Sequence, residues 1–118
     1  DSIDALLGDW ADDHAMNWDA NDLLCKLATW QGGDVSAGAK FGGDFAAALG
    51  SIKARTILMP CRQDLYFPPE DNEAEAKLIP NADLRQINSD FGHCVANPGN
   101  DLNFQKNLDA NIAELLRR

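Results

Sequence analysis

Two short stretches of this chain place residues of catalytic type where a parallel sheet would present them. In TILMPCRQDLYFPPEDNE, residues 56–73, an apolar run stops at Pro60, and Asp64 follows on a turn stiffened by Pro68 and Pro69. In INSDFGHCVANPG, residues 87–99, His93 follows a weaker alternating run and a glycine. In open α/β sheets, ligands gather beyond the carboxyl ends of the strands. If the two runs are adjacent parallel strands, Asp64 and His93 emerge at the same rim. There a carboxylate can hold an imidazole in one tautomer and stabilise its cation, leaving the other ring nitrogen as a general base. Such a pair needs a nucleophile to act on.

The surrounding pattern supplies the strands and the crossover. Residues 55–59, RTILM, read as a short strand buried on both faces, and 83–88, DLRQIN, as a second strand. Between them, 68–78 read as a helix, with prolines in the first turn and Glu70, Asp71 and Glu73 at the positive end of its dipole. A last helix over 101–117 carries Leu102, Leu108, Ile112, Leu115 and Leu116 on its apolar side. Residues 55–118 are therefore β-α-β-α, the order of a parallel crossover unit. Two strands do not make a free-standing core, and the open apolar edge at 55–59 would favour association. These units belong at the edge of a larger sheet.

Upstream, the apolar spacing of Ile3, Leu6, Leu7 and Trp10 predicts one helix. Leu23, Leu24, Leu27 and Trp30 predict another over 19–31, capped by Asp19 or Asn21 and stopped by Gly32 and Gly33. The segment GGDVSAGAKFGG, 32–43, holds five glycines in twelve residues and reads as loop. Asp44 then caps a short helix that ends near Gly50. Trp10, Trp18 and Trp30 are expected in a core, with a substrate tunnel or a dimer contact as the less favoured role. Cys25 and Cys61 are expected as small buried apolar residues.

The chain has 118 residues, 45% hydrophobic and 25% charged, the composition of one small globular domain. Its 19 acidic and 10 basic side chains give a net charge of −9, which argues against nucleic acid or an anionic membrane as partner. No apolar run is long enough for a transmembrane helix, and DSIDALLGDW does not read as a signal peptide. A start at Asp1 without an initiator methionine points to a processed product or a fragment. Three cysteines, with no C-x-x-C spacing, are expected as reduced thiols in a cytoplasmic protein.

The run DLYFPPE, then PNADLRQI, then FGH resembles the C-terminal part of the α/β-hydrolase fold, and more narrowly the homoserine O-acetyltransferase family. In that family an Asp-x-x-Phe-Pro-Pro turn follows the penultimate strand and Gly-His follows the last. Asp64, Phe67, Pro68 and Pro69 match the first element, and Gly92 and His93 the second. WDANDLL at 18–24 and FGGDFAAALGSIKARTILMP also resemble family segments, so the likeness covers about residues 17–118. It implies the end of a helical cap region and its loop over 1–43, and the C-terminal βαβα portion of the core over 44–118. It implies a Ser-His-Asp acyl-enzyme mechanism in which His93 moves the proton and Asp64 orients it. Acetyl-CoA or another acyl-CoA would serve as cosubstrate, with no bound cofactor and no metal. The partners implied are an N-terminal half of the fold that carries the nucleophile, a small-molecule acyl donor and acceptor, and a second copy joined through the cap helices.

The departures define the alternatives. The fold orders its triad as Ser, Asp, His, so the nucleophile must precede Asp64. Ser2, Ser36, Ser51 and Ser89 all lie outside a G-x-S-x-G elbow, and Ser36 in GDVSAG misses the first glycine by one position. After His93, CVANPG departs from the acid-rich continuation of homoserine acetyltransferases. The chain alone is therefore expected to be inactive. Within an enzyme it would support acyl transfer, or ester or amide hydrolysis on the same fold. A non-catalytic fragment acting as an association module is the other reading, favoured by the missing serine and disfavoured by the intact pair. Other candidates are weaker. His14 beside Asp12 and Asp13 lacks metal-ligand spacing and reads as a solvated turn. Cys94 adjoins His93, but neighbouring loop side chains diverge. The glycine-rich segment lacks the Lys-Ser/Thr ending of a phosphate loop.

Overall fold

The computed structural model describes residues 2–117. It divides into two compact units, Asp1–Val35 and Ser36–Arg118. The loop 32–43, placed above with the first region, thus contributes most of its length to the second unit.

The first unit holds α1, Ile3–Asn17, and α2, Ala20–Gln31. Each begins where a side chain satisfies amide groups that have no partner inside the helix. Ser2 accepts from the Ala5 amide, and Asp19 from those of Asn21 and Asp22. The Gly32 amide closes α2 on the Ala28 carbonyl. The expected core role of the tryptophans is not met. Trp10, Trp18 and Trp30 are 63%, 44% and 50% exposed, and neither helix contains a buried residue. A two-helix unit offers each apolar stripe too little facing surface to enclose a ring of that size. Cys25, expected to be buried, is exposed as well. Among the described residues, no helix is long and apolar enough to cross a membrane.

The second unit holds α3 (Phe45–Gly50), β1 (Thr56–Leu58), α4 (Pro69–Ala76), β2 (Ala82–Leu84), a 3₁₀ turn (Gly92–Ala96) and α5 (Leu102–Leu116). Asp44 and Asp101 cap α3 and α5 through their carboxylates, and Pro69 opens α4. β1 and β2 pair in parallel, with Thr56 opposite Ala82 and Leu58 opposite Leu84. The expected β-α-β-α order is present. The strands are shorter than the sequence pattern predicts, but their pairing continues as a single bridge between Cys61 and Ile87. Bonds from Ile87 N to Pro60 O and from Arg62 N to Ile87 O, both 2.9 Å, carry the ladder past Pro60. β1 is half-buried rather than enclosed on both faces, since a two-stranded sheet leaves much of its surface uncovered.

The main buried apolar cluster lies at the carboxyl end of the sheet, with Ala48 and Ile79 buried apart from it. Cys61, Ile87, Val95 and Phe104 form this cluster, with Met59 and Leu108 packed against them. Further along, α5 is fastened by charge to residues that flank both strands. Arg85 grips the Glu114 carboxylate with two bonds of 2.7 Å, and Arg55 reaches the same group at 2.5 Å. Arg85 also donates to the Asp83 carboxylate and to the side-chain Oδ1 of Asn111. The Arg85 hydrogen bonds, with Arg55 behind them, hold the Glu114 carboxyl down at about 2, against an ordinary 4.5. A depressed carboxylate stabilises the fold above its unfolded value and loses that contribution as pH falls through the folded one. Glu114→Gln is therefore expected to be less stable than the parent at neutral pH. Urea unfolding at stepped pH should show the gap narrowing between pH 4.5 and about 2, and a gap independent of pH would contradict this account.

Candidate active site

Asp64 sits on the turn that follows the last ladder bond of the first strand. Its amide bonds back to the Cys61 carbonyl at 3.1 Å. Its side chain then does two jobs with two oxygens. Oδ1 accepts from the amides of Tyr66 at 2.8 Å and Phe67 at 2.9 Å, an aspartate-capped turn that fixes the loop before Pro68. Oδ2 faces Nδ1 of His93 at 3.1 Å. The Asp64 side chain is only 11% exposed. Burial pushes its carboxyl up, but the Phe67 and Tyr66 amides and His93 together outweigh that and hold it below the usual carboxylate range.

That charge settles the tautomer of His93. An ionised carboxylate only accepts hydrogen bonds, so Nδ1 carries the proton and donates it to Asp64. Nε2 is then the basic nitrogen. The ring lies against Tyr66, with centroids 4.7 Å apart, and Phe67, at 5.1 Å, while 48% of the side chain remains exposed. Leu65, Tyr66, Phe67 and Phe91 form an exposed apolar rim in the same two loops.

Gly92 is where the second loop crosses the first. Its φ is +50°, and a Cβ there would stand 2.8 Å from the Gln63 carbonyl oxygen. Both the backbone conformation and the space exclude a side chain. Gly92→Ala is expected to cost more than about 1 kcal/mol in stability. Equilibrium urea unfolding checks this, and an unchanged midpoint would mean that the two loops can separate freely.

The pair expected from spacing, Asp64 and His93, is thus brought together, whereas the chain's serines are used elsewhere. Ser2 caps α1, Ser51 Oγ donates to the Ala48 carbonyl, and Ser89 Oγ donates to Asp101 at 2.6 Å. Ser36 is buried in the 36–43 loop, where its carbonyl accepts from Gly43. Nδ1 of His14 donates to the Trp10 carbonyl at 2.8 Å, and its ring packs on that tryptophan, which is a use within its own helix. Sequence reasoning missed Gln63 and Ser89. Ser89 entered only as a failed nucleophile, and nothing in the spacing marks Gln63, because its partner lies 26 residues away.

No protein-family model matches the chain. An acetylester hydrolase from Corynebacterium glutamicum has a similar solved structure, with a TM-score of 0.79 and 41% identity, over 98% of this chain and 32% of that one. The ethyl acetate hydrolase of Pseudomonas veronii is 45% identical over 98 residues, 83% of this chain and 27% of that protein. The homoserine O-acetyltransferase of Nostoc punctiforme is 32% identical over 78 residues, 64% of this chain and 22% of the enzyme. The chain's relatives are therefore esterases and acetyltransferases, and its mixed helix and strand arrangement matches an acetylester hydrolase, consistent with an α/β-hydrolase-like fold. The narrower likeness to homoserine acetyltransferases is the more distant one. The chain spans about a third or less of the length of these proteins.

Proposed function

We propose that this chain is the C-terminal, acid- and base-bearing portion of an α/β-hydrolase-fold enzyme that cleaves short acyl esters through an acyl-enzyme. The observation that carries this reading is the 3.1 Å contact between Asp64 and Nδ1 of His93 at the ends of two parallel strands. Similarity to an ethyl acetate hydrolase and an acetylester hydrolase supports small acyl esters as the substrate class.

In this mechanism a serine from the N-terminal portion of the fold approaches Nε2. As its oxygen attacks the ester carbonyl, its proton passes to His93, and Asp64 stabilises the imidazolium. Collapse of the tetrahedral species expels the alcohol, which takes the proton from Nε2. Water then attacks the acyl-serine, with His93 again as base, and releases the carboxylic acid. The oxyanion hole and the nucleophile both come from outside this chain. Acyl transfer is the second reading, supported by the likeness to an acetyltransferase. There an acyl-CoA would load the serine and an alcohol would replace water in the second half.

The test uses the protein in which this chain is joined to the serine-bearing portion. With p-nitrophenyl acetate it should give a burst of one nitrophenolate per site and an acetyl group on a single serine peptide. The 118-residue chain alone should give neither. Absence of both burst and adduct in the joined protein would overturn the proposal. Release of free acetate in the presence of an alcohol acceptor would separate hydrolysis from transfer.

A further inference from the structure

The side chain of His93 is half exposed and held by one hydrogen bond and the flanking Tyr66 and Phe67 rings, so the place of Nδ1 depends on where its main chain lies. A general base works only when held within about 0.5 Å of its productive place. Four residues before it, Ser89 is buried, and every polar group it has is engaged. Its amide donates to Oε1 of Gln63 at 3.0 Å, directly on the acid-bearing loop. Its carbonyl accepts from the Gly92 amide at 3.1 Å and from the Cys61 thiol at 3.5 Å. Its hydroxyl donates to Oδ2 of Asp101 at 2.6 Å and accepts from the Phe91 amide at 3.4 Å. Asp101 is itself fixed, because its other oxygen caps α5 through the amides of Asn103 and Phe104, both at 2.9 Å.

We propose that Ser89, held by Gln63 and Asp101, is a positioning residue that sets the place of the His93 imidazole against Asp64. The inference rests on the reading of His93 as the base, and it gives this serine a role other than nucleophile. Ser89 joins three bodies: the acid loop, the turn that carries the base, and the rigid start of α5. Gly92 then passes over the Gln63 carbonyl with no room to shift, so the setting of residue 89 is transmitted to residue 93. Gln63 bridges the two loops, and its Oε1 lies 3.6 Å from the Cys61 sulfur.

The test compares Ser89→Ala and Gln63→Leu with the parent in the joined protein, with p-nitrophenyl acetate as substrate and the downfield Nδ1 proton of His93 read by NMR. Misplacement of about 1 Å costs on the order of 100-fold, so kcat should fall by about 10- to 100-fold while KM stays within about twofold. The Nδ1 signal should broaden or vanish in both variants. An unchanged kcat, or a fall in kcat with an intact proton signal, would overturn the assignment. If Ser89→Ala does not fold, Gln63→Leu, which alters an exposed side chain, decides the matter by the same readouts. A parent protein with no acyl adduct but with a Ser89-dependent proton signal would instead sink the enzymatic reading and leave the geometry standing.

Discussion

Asp64→Asn in the joined enzyme should lower kcat by about 10⁴-fold and leave the loop in place. The two oxygens of Asp64 make this substitution unusually clean. Oδ1 holds the turn by accepting from the Tyr66 and Phe67 amides, and an asparagine carbonyl accepts the same two bonds. Those two donors also forbid the flipped amide, which would set N–H against N–H. The asparagine NH₂ must therefore take the place of Oδ2 and point at Nδ1 of His93. A donor facing Nδ1 forces the imidazole to carry its proton on Nε2, where it can no longer accept one from a serine. The loss falls on kcat, and thermal unfolding should shift little. Turnover within tenfold of the parent would show that the carboxylate does not set the tautomer.

Removing the base itself is the larger change. His93→Ala should reduce kcat by about 10⁶-fold, with residual turnover coming from binding and the oxyanion hole alone. Because the ring is half exposed and packs only at the edge of the Tyr66 and Phe67 rim, stability should change little. Residues that act as one unit do not contribute additively. The double variant Asp64→Asn/His93→Ala should thus be no slower than His93→Ala. A further large loss in the double variant would mean that Asp64 serves catalysis by some route other than the imidazole.

The parts of this arrangement that follow local rules were legible in the sequence. Caps at Asp19 and Asp44, the proline start of α4 and the parallel order of the two strands follow from short-range chemistry and chain direction. So did the meeting of Asp64 with His93, since adjacent parallel strands bring their ends to one rim. What failed depended on the amount of surface available to cover a residue. Trp10, Trp18, Trp30 and Cys25 are exposed although their types favour burial, and apolar spacing alone does not reveal how much surface faces a stripe. Ser89 and Gln63 were hidden for a different reason. Their importance lies in hydrogen bonds to a distant main-chain amide and to a helix cap, which leave no periodic trace.

The location of the small core carries a consequence for how such a protein can change. Cys61, Ile87, Val95 and Phe104 lie in or directly beside the two loops that hold Asp64 and His93, and not in a separate layer beneath them. A substitution that repacks this cluster moves the ends of both loops at once. Selection for heat tolerance and selection for turnover would therefore compete for the same few positions. Variation that alters one property without the other is expected on the exposed faces of the later turns of α4 and α5, since the first turn of each adjoins those loops.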